Sequence, residues 1–434
     1  MQADAKLWDR AVWRIMPLAT LSFMAAIVDK SNIGFAKLQM LKSLGMSEAA
    51  FAFGSSLFFV AFMVFEVPSA LAAHRFGARK WTARIMATWG LITIALAFTP
   101  NEAAFYGLRL ALGVAEARLY PTLIYYLTLW FPQSQQPRVM GFLTLGSAIG
   151  NGGGALLSGA LLDLNGAAGL EGWQWVFLIT GVVPLIVAAL VLRFMPDTPA
   201  QADFLSSGER KALVEAVARD RPAVANERGI FALLVDPRVL GYTFVYMLLG
   251  IALFGVIYWT PTAIRGFAVS GSVNGMLTAA PWAVTCLLLL TLPPRLKSRA
   301  AVLRAWTAIS VFGASCFAVA AIFAQPELRY AALFFGTPCI SLSIALFWTF
   351  PVRLFDGAKA AACIAGINVF GNVGGFIGQN LMPAVALIGH NPDFAMWVPS
   401  ACLAAIGVGT IVLLYRSYRD IEKTTHATLL HSDP

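Results

Sequence analysis

Six charged side chains lie inside long apolar stretches of this sequence: Asp29, Lys30, Glu66, Arg109, Glu116 and Arg118. Placing an ionisable group in hydrocarbon costs roughly 2.5–3.5 kcal/mol on insertion scales, so such groups are expected where they bind or move charge. All six precede residue 196, and we place no charge inside the apolar stretches of the second half of the chain. The charge chemistry of the protein is therefore predicted in its first half.

Two of the cations and two of the carboxylates are spaced so that they can share one cavity. Arg109 and Glu116 are seven residues apart, which on a helix places them within about 20° of each other on one face. Asp29 and Lys30 are adjacent in a different apolar stretch. Lysine supplies a point charge and arginine a planar fork that matches a carboxylate, so the cations suit an anionic ligand. Carboxylates in a partly dry cavity are suited to taking up and releasing protons.

The same four residues have a simpler interpretation, in which they form ion pairs that only hold helices together. A buried ion pair seldom stabilises a protein more than an apolar replacement does. This favours a functional role, and the two interpretations are compatible if the pairs break and re-form.

The other two charges have different predicted roles. Arg118 is two residues from Glu116, about 200° around a helix, and is predicted to be structural or to reach toward the membrane surface. Glu66 stands two residues before Pro68, where a capping or gating bond is expected and a coupling role is the alternative.

Polar and aromatic residues supply further candidates for the binding site. The glycine-rich segment 146–154 lacks the Gly-Lys-Ser/Thr ending of a phosphate loop, so it predicts close helix packing. The alternative for its polar residues is that Ser147 and Asn151 face the cavity. Asn368 and Asn372 are four residues apart on one helical face, where they donate either to substrate oxygens or to another helix. Tyr258 begins a Tyr-Trp-Thr-Pro sequence, which suits either an interfacial aromatic belt or a cavity wall.

The elements that must position these residues are transmembrane helices. Hydrophobic residues make up 59% of the 434, charged residues only 12%, and the mean hydropathy is +0.72. Soluble domains carry about 25% charged residues, so a soluble fold is excluded. Twelve apolar stretches are long enough to span a membrane, at 15–36, 50–73, 81–99, 103–130, 138–162, 173–195, 239–262, 270–292, 301–323, 328–351, 360–388 and 394–415. The sequence predicts an all-α membrane protein with twelve transmembrane helices in two six-helix bundles.

A polar segment divides the chain into two predicted halves. Residues 1–195 are predicted to form the N-terminal bundle, 196–237 a cytoplasmic linker, and 238–434 the C-terminal bundle with a short cytoplasmic tail. Placing both termini inside puts 24 lysines and arginines on the cytoplasmic side and four outside, which decides the orientation by the positive-inside rule. We therefore expect a multi-pass protein of the cytoplasmic membrane, and paired six-helix halves around a midplane site are typical of secondary transporters.

Several other functions are disfavoured by the sequence. The net charge of +9 follows from the topology, so no nucleic-acid partner is expected. The four histidines fall in loops or the tail, and no two of the five cysteines have metal-ligand spacing. With no nucleophile elbow or Walker sequence either, we expect neither an enzyme nor a bound metal or cofactor.

Five segments carry a resemblance to a known family: residues 29–36, 65–69, 77–81, 109–117 and 130–132. They resemble the anion:cation symporter branch of the major facilitator superfamily, and within it the tartrate, phthalate and 4-hydroxyphenylacetate permeases. The resemblance covers nearly the whole chain. It implies twelve helices, alternating access and proton-driven uptake of organic carboxylates.

The resemblance also implies roles for individual residues. Asp29 and Glu116 match the family's proton-coupling carboxylates. Positions that bind the substrate or line its cavity are matched by Lys30, Arg109, Ser147 and Asn372. Lys30 stands where the family usually has arginine, which removes a bidentate contact, and Gln379 stands where proline is common.

From these observations we expect a proton-coupled symporter that imports a small organic anion, an aromatic or hydroxylated mono- or dicarboxylate, by alternating access. Its predicted partners are that anion, protons and membrane lipids, and we expect a monomer to be functional. The alternative is a proton-antiport exporter of an acidic or amphipathic molecule, because the residues do not encode the direction of transport.

Overall fold

A computed structural model describes residues 5–117, 119–219, 236–350 and 357–411, and these residues contain helices and no β-strand. The α-helices are α1 Ala5–Leu44, α2 Glu48–Phe76, α3 Ala78–Leu96, α4 Glu102–Glu116, α5 Leu119–Trp130, α6 Gln136–Leu162, α7 Gly172–Phe194, α8 Ser207–Arg219, α9 Pro237–Arg265, α10 Gly271–Thr291, α11 Arg299–Ile322, α12 Pro326–Phe347, α13 Gly357–Ile388 and α14 over 397–411.

Many of these helices are suited to a membrane. Within the described residues, eight helices are long and apolar enough to cross it: α1, α2, α7, α9, α10, α11, α12 and the segment Pro392–Ile411. The other predicted spans correspond to α3, to α4 together with α5, to α6 and to α13. Below, the N-terminal half means α1–α7 and the C-terminal half α9–α14.

Helix α1 is longer than the sequence pattern predicted. It has 40 residues, about 60 Å at 1.5 Å per residue, whereas the predicted span was 15–36. The prediction was wrong because Lys37 does not end the apolar segment: its side chain is 1% exposed, and its Nζ lies 3.2 Å from Glu48 Oε2. Asp29 and Lys30 therefore lie well inside the helix, whereas the sequence placed them at its end.

The fourth predicted span is broken in the structure. Helix α4 ends at Glu116, and Ala117 has φ −48° and ψ 123°, which is not helical. Helix α5 starts again at Leu119. The angle predicted between Glu116 and Arg118 assumed one continuous helix, so it does not apply beyond Glu116. Arg118 itself lies outside the described residues, and its role stays a prediction.

The glycine-rich segment of α6 packs tightly against α1, which confirms the predicted close packing. A Cβ on Gly146 would lie 2.7 Å from Thr20 Cγ2, and one on Gly154 would lie 2.8 Å from Ser31 Oγ. Both distances are too short for real atoms. Only glycine therefore allows α6 to approach α1 this closely.

Asp163 joins the two halves at one end of the molecule. We call this the outer end, where α1 and α6 finish and α10 begins, following the orientation predicted from the basic residues. Asp163 Oδ1 accepts from the Gly271 N–H at 2.8 Å, and Oδ2 accepts from the Ser272 N–H at 2.8 Å and from Ser272 Oγ at 2.5 Å. A residue of α6's C-terminus thus caps the N-terminus of α10, where a negative charge is favoured.

Lys37 forms a second contact between the halves near the outer end. Its Nζ lies 4.0 Å from the ring centroid of Trp259 and 4.6 Å from that of Tyr258, distances at which a cation is attracted to an aromatic face. Arg265 donates to the backbone oxygen of Leu38 close by. These contacts hold the outer ends of α1 and α9 together, so the structure is closed on this side.

The close approach of α4 to α2 predicts a difference between two glycines of α4. A Cβ on Gly113 would collide with the backbone oxygen of Phe58, whereas Gly107 has nothing within 4 Å. Gly113→Ala should therefore lower the unfolding free energy by about 1–3 kcal/mol through overpacking. Gly107→Ala should be neutral or stabilise by up to about 1 kcal/mol. Thermal unfolding in detergent measures both, and equal midpoints would contradict this packing.

The Asp163 cap predicts local protection of the α10 N-terminus. Asp163→Ala should cost about 1 kcal/mol and speed deuterium exchange at the Gly271 and Ser272 amides, while the exposed Asp203→Ala serves as control. The Ser272 hydroxyl, followed by the Ser272 and Gly271 N–H groups, lowers the pKa of Asp163 below its ordinary 3.8. The protection should therefore persist at neutral pH and disappear only as the pH falls through that lowered pKa. Protection unchanged by Asp163→Ala would refute the cap.

Candidate functional site

Helices α1, α2 and α4 bring three of the predicted charges together. Lys30 Nζ on α1 lies 2.9 Å from Glu116 Oε1 at the end of α4, and the exposed fractions of the two side chains are 21% and 1%. Arg109 lies on the same face of α4 as Glu116. It is 3% exposed and donates from Nη2 to the backbone oxygen of Ser55 at 2.9 Å. The ring of Phe58 on α2 lies under both cations, 5.7 Å from Lys30 Nζ and 5.2 Å from Arg109 Cζ.

Asp29 lies beside these residues but is hydrogen-bonded to α3 and to its own helix. Its Oδ1 accepts from Thr93 Oγ1 at 2.9 Å and from Asn32 Nδ2 at 3.4 Å, and it is 1% exposed. Its charge interacts with those of Glu116, Arg109 and Lys30. The structure therefore groups all four predicted charges, and we call Asp29, Lys30, Arg109 and Glu116 the charge cluster.

The charge cluster has unused hydrogen-bonding capacity. Glu116 Oε2 and Arg109 Nε have no hydrogen-bond partner among the described residues, although both atoms are buried. Glu116 Oε1 is paired with Lys30 Nζ. Leaving a buried polar atom unpaired costs about 1–3 kcal/mol, so a proton or a ligand that satisfied these atoms would be bound favourably.

A small cavity lies between α1, α6, α9, α10 and α12. Its polar and aromatic lining comprises Ser31, Asn151, Thr260, Thr278, Trp282 and Thr337. None of the four cluster residues is among the described residues that line it, but Ser31 directly follows Lys30 on α1. Of these six, the sequence pattern named Asn151 as a candidate for the cavity. It missed the other five, because single hydroxyl or aromatic residues in apolar helices give no signal that separates a lining position from a packed one.

The remaining predicted binding residues lie around the cavity or away from it. Ser147 is half-buried, and its backbone oxygen accepts from Asn151 Nδ2 at 3.0 Å, one turn along α6. Tyr258 is fully buried at the outer end, where it stacks on Phe51 with centroids 6.5 Å apart. Its neighbour Ile257 lines the cavity instead.

The two asparagines of α13 pair with each other. Asn372 Nδ2 donates to the backbone oxygen of Asn368 at 3.4 Å, and both residues are half-buried. Neither is among the described residues that line the cavity, so their contact with a substrate stays a prediction. The side chain of Glu66 lies outside the described residues.

Variants of the Lys30–Glu116 pair should affect stability and transport differently. Glu116→Leu alone should lower the unfolding free energy by about 1–3 kcal/mol, because the Lys30 ammonium loses its partner inside the core. The double variant Lys30→Met with Glu116→Leu should recover most of that loss and remain without transport. Thermal unfolding and an uptake assay measure the two properties. Recovery of transport in the double variant would show that the pair is only structural.

Comparison with known proteins identifies the family. The family model described as Major Facilitator Superfamily matches residues 18–379. A quinolone resistance transporter of Acinetobacter baumannii is 35% identical, with 84% of this chain and 85% of that protein covered. A putative tartrate transporter of Agrobacterium vitis is 32% identical, with 97% and 94% covered.

A solved structure supports the same fold. The xylose transporter XylE from E. coli, in a partially occluded inward-open conformation, superposes with a TM-score of 0.71 at 12% identity, covering 92% of this chain and 98% of that one. This result confirms the expected twelve-helix fold and the expected multi-pass membrane location. These relatives are transporters, as expected, and not enzymes. The chain belongs to the major facilitator superfamily of membrane transporters.

Proposed function

We propose that this transporter is a proton-coupled symporter that imports a small organic anion, a hydroxylated or aromatic mono- or dicarboxylate. The observation that carries the proposal is the buried pair of Lys30 and Glu116, with Nζ and Oε1 2.9 Å apart. Arg109 and Asp29 stand close enough to interact with it electrostatically. Placing charged side chains inside an apolar helix bundle costs free energy, so such residues are expected to bind a substrate or to carry protons.

The charge balance of the cluster suggests how the two are coupled. With all four groups ionised, the two cations and two carboxylates cancel. One proton on a carboxylate leaves one cation in excess, and an uncompensated buried charge is costly. A bound substrate carboxylate restores neutrality, so each carboxylate should enter together with one proton.

Lys30 is the residue best placed to exchange partners. Its side chain is 21% exposed while that of Glu116 is 1% exposed, so the ammonium is the more accessible member of the pair and its partner stays in the core. A proton on Glu116 removes the attraction that holds Lys30, and the ammonium can then bind a substrate carboxylate. Arg109, whose Nε has no partner, offers the guanidinium fork that matches a carboxylate.

Alternating access follows if the outer contacts break during the cycle. The Asp163 cap on α10 and the Lys37 contact with Tyr258 and Trp259 close the outer end in this structure. An outward-open form must release both. The distribution of basic residues supports a cytoplasmic membrane location with both termini inside.

The names of two relatives bear on the substrate and on the direction of transport. The name of the putative tartrate transporter supports a hydroxylated dicarboxylate as the substrate and states no direction. The name of the quinolone resistance transporter supports export as the second candidate, which we propose would expel an acidic or amphipathic molecule by proton antiport. The same charge cluster would serve import or export. In both directions the substrate carboxylate and a protonatable acid of the cluster compete for one of the cluster's cations.

The proposal predicts how uptake responds to a proton gradient. In proteoliposomes with an acidic outside, labelled tartrate and other carboxylates should accumulate. Glu116→Gln should exchange internal for external substrate but lose proton-driven accumulation, because glutamine cannot release a proton. Arg109→Ala should abolish binding. Asp393→Asn is a matched control, since Asp393 is ion-paired with Arg329 at 2.7 Å in the other half and should keep accumulation.

Two results would oppose the proposal. Depletion of the substrate from vesicles by the same gradient would favour export. Accumulation that does not respond to the gradient, or that survives unchanged in both Glu116→Gln and Arg109→Ala, would contradict the assignment of the charge cluster.

A further inference from the structure

Three hydroxyl groups that line the cavity between α1, α6, α9, α10 and α12 have already donated their hydrogen. A serine or threonine hydroxyl has one hydrogen and two acceptor lone pairs. Each of the three donates to a backbone carbonyl of its own helix, which can only accept: Ser31 to Val28 at 3.0 Å, Thr260 to Val256 at 2.7 Å and Thr337 to Leu333 at 2.8 Å. Toward the cavity these oxygens can therefore only accept.

The hydroxyl hydrogen of Thr278 is also already donated, in this case to the side-chain amide of Asn274. Asn274 Nδ2 donates to the backbone oxygen of Pro261 at 2.8 Å, which settles which end of that amide carries the oxygen. Thr278 Oγ1 lies 3.2 Å from this Oδ1 and must donate to it. A fourth hydroxyl of the cavity is thus left as an acceptor.

Asn151 adds an amide oxygen to this set. Its Nδ2 donates to the backbone oxygen of Ser147 at 3.0 Å, and no described residue donates to its Oδ1. The cavity lining contains no charged residue among those described, and its walls are completed by Phe35 and Trp282. Apart from the indole N–H of Trp282 and the second amide N–H of Asn151, the described polar side chains of the lining present acceptor oxygens.

This lining discriminates between the parts of a ligand. A carboxylate brings only acceptors and would meet oxygen lone pairs with no cation to balance its charge, so it is disfavoured in the cavity. A group with several O–H donors satisfies the acceptors, while the two aromatic side chains cover its C–H surface. Lys30, the residue before Ser31, offers a carboxylate partner next to the cavity.

We infer that this cavity is a subsite for the hydroxyl groups of the substrate, so that the transported class is the hydroxy- and polyhydroxycarboxylates rather than plain aromatic or aliphatic acids. This inference rests on the proposed function, because it assigns the carboxylate to the charge cluster and the hydroxyl-bearing carbons to the cavity. Thr260, Thr278, Thr337 and Asn151 are then specificity-determining residues, contributed by α9, α10, α12 and α6.

The test compares acids that differ only in hydroxyl groups. Tartrate, malate and succinate have the same four carbons and two carboxylates but two, one and no hydroxyls; gluconate and hexanoate form a second pair, and phthalate represents the aromatic acids. Their half-inhibitory concentrations are measured against gradient-driven uptake of labelled tartrate, and of labelled succinate in parallel. Each lost hydroxyl should weaken competition about 2- to 10-fold, the value of one hydrogen bond, with phthalate no better than succinate.

Two variants locate the effect in the cavity. Thr278→Val and, independently, Thr260→Val should reduce the advantage of tartrate over succinate while leaving succinate itself within about twofold. Thr285→Val is the matched control: it lies on the same helix, is fully buried and donates to the backbone oxygen of Pro281 at 2.9 Å, but it does not line the cavity. It should keep the preference for tartrate. Unfolding midpoints of all three variants verify that they fold.

The outcomes separate this inference from the proposed function. If no carboxylate accumulates under the gradient, the proposed function fails. If succinate, hexanoate or phthalate competes as well as the hydroxylated acids, symport stands and the subsite is refuted. If hydroxylated acids are preferred but Thr278→Val and Thr260→Val keep the full preference, hydroxyl recognition lies elsewhere and the assignment of this cavity is overturned.

Discussion

The charge pair between Lys30 and Glu116 is the interaction on which the functional argument depends. In an apolar bundle the net charge of a buried cluster must stay near zero, because an unbalanced ion cannot be compensated by water. Two cations and two carboxylates meet this condition in the described structure. For the same reason, a proton that binds to a carboxylate of the cluster must be followed by a bound anion. Charge neutrality alone therefore couples proton movement to substrate movement.

The fold supplies the geometry that this constraint requires. Helix α4 stops at Glu116, which places the carboxylate at a helix end opposite Lys30. Gly113 lets α4 approach the backbone of α2, and this contact brings Arg109 within hydrogen-bond reach of Ser55. A long α1 carries Lys30 in the cluster, Ser31 in the cavity and Lys37 at the outer closure. One helix thus connects the charge cluster, the proposed hydroxyl subsite and the contacts that close the outer end.

Part of this arrangement was accessible from the sequence. A seven-residue spacing placed Arg109 and Glu116 on one face, and the rarity of intramembrane charges singled out Asp29 and Lys30. The ends of α1 were not predictable from hydropathy, because Lys37 is neutralised by a residue of another helix, Glu48. The break after Glu116 has a local signal that the prediction of one continuous span did not use: Pro121 lies four residues after Ala117, and a proline ring clashes with the carbonyl of the residue four positions before it.

The cavity was the least predictable feature. Whether a threonine faces a cavity or a helix contact depends on how helices from both halves pack, and hydropathy does not record that. Tyr258 shows the same limit: the sequence left an interfacial belt and a cavity wall open, and the structure places this residue at the outer closure beside Lys37. Among the polar residues that line the cavity, the sequence pattern named only Asn151, through its place in the glycine-rich segment.

The ratio of protons to substrate carboxylates tests the neutrality argument most directly. In proteoliposomes held at zero membrane potential, a pH dye and labelled substrate together count the protons that enter with each molecule. The account predicts one proton for a monocarboxylate and two for a dicarboxylate, with no net charge moved. A ratio that ignores the number of carboxylates, or a substrate current without protons, would contradict it.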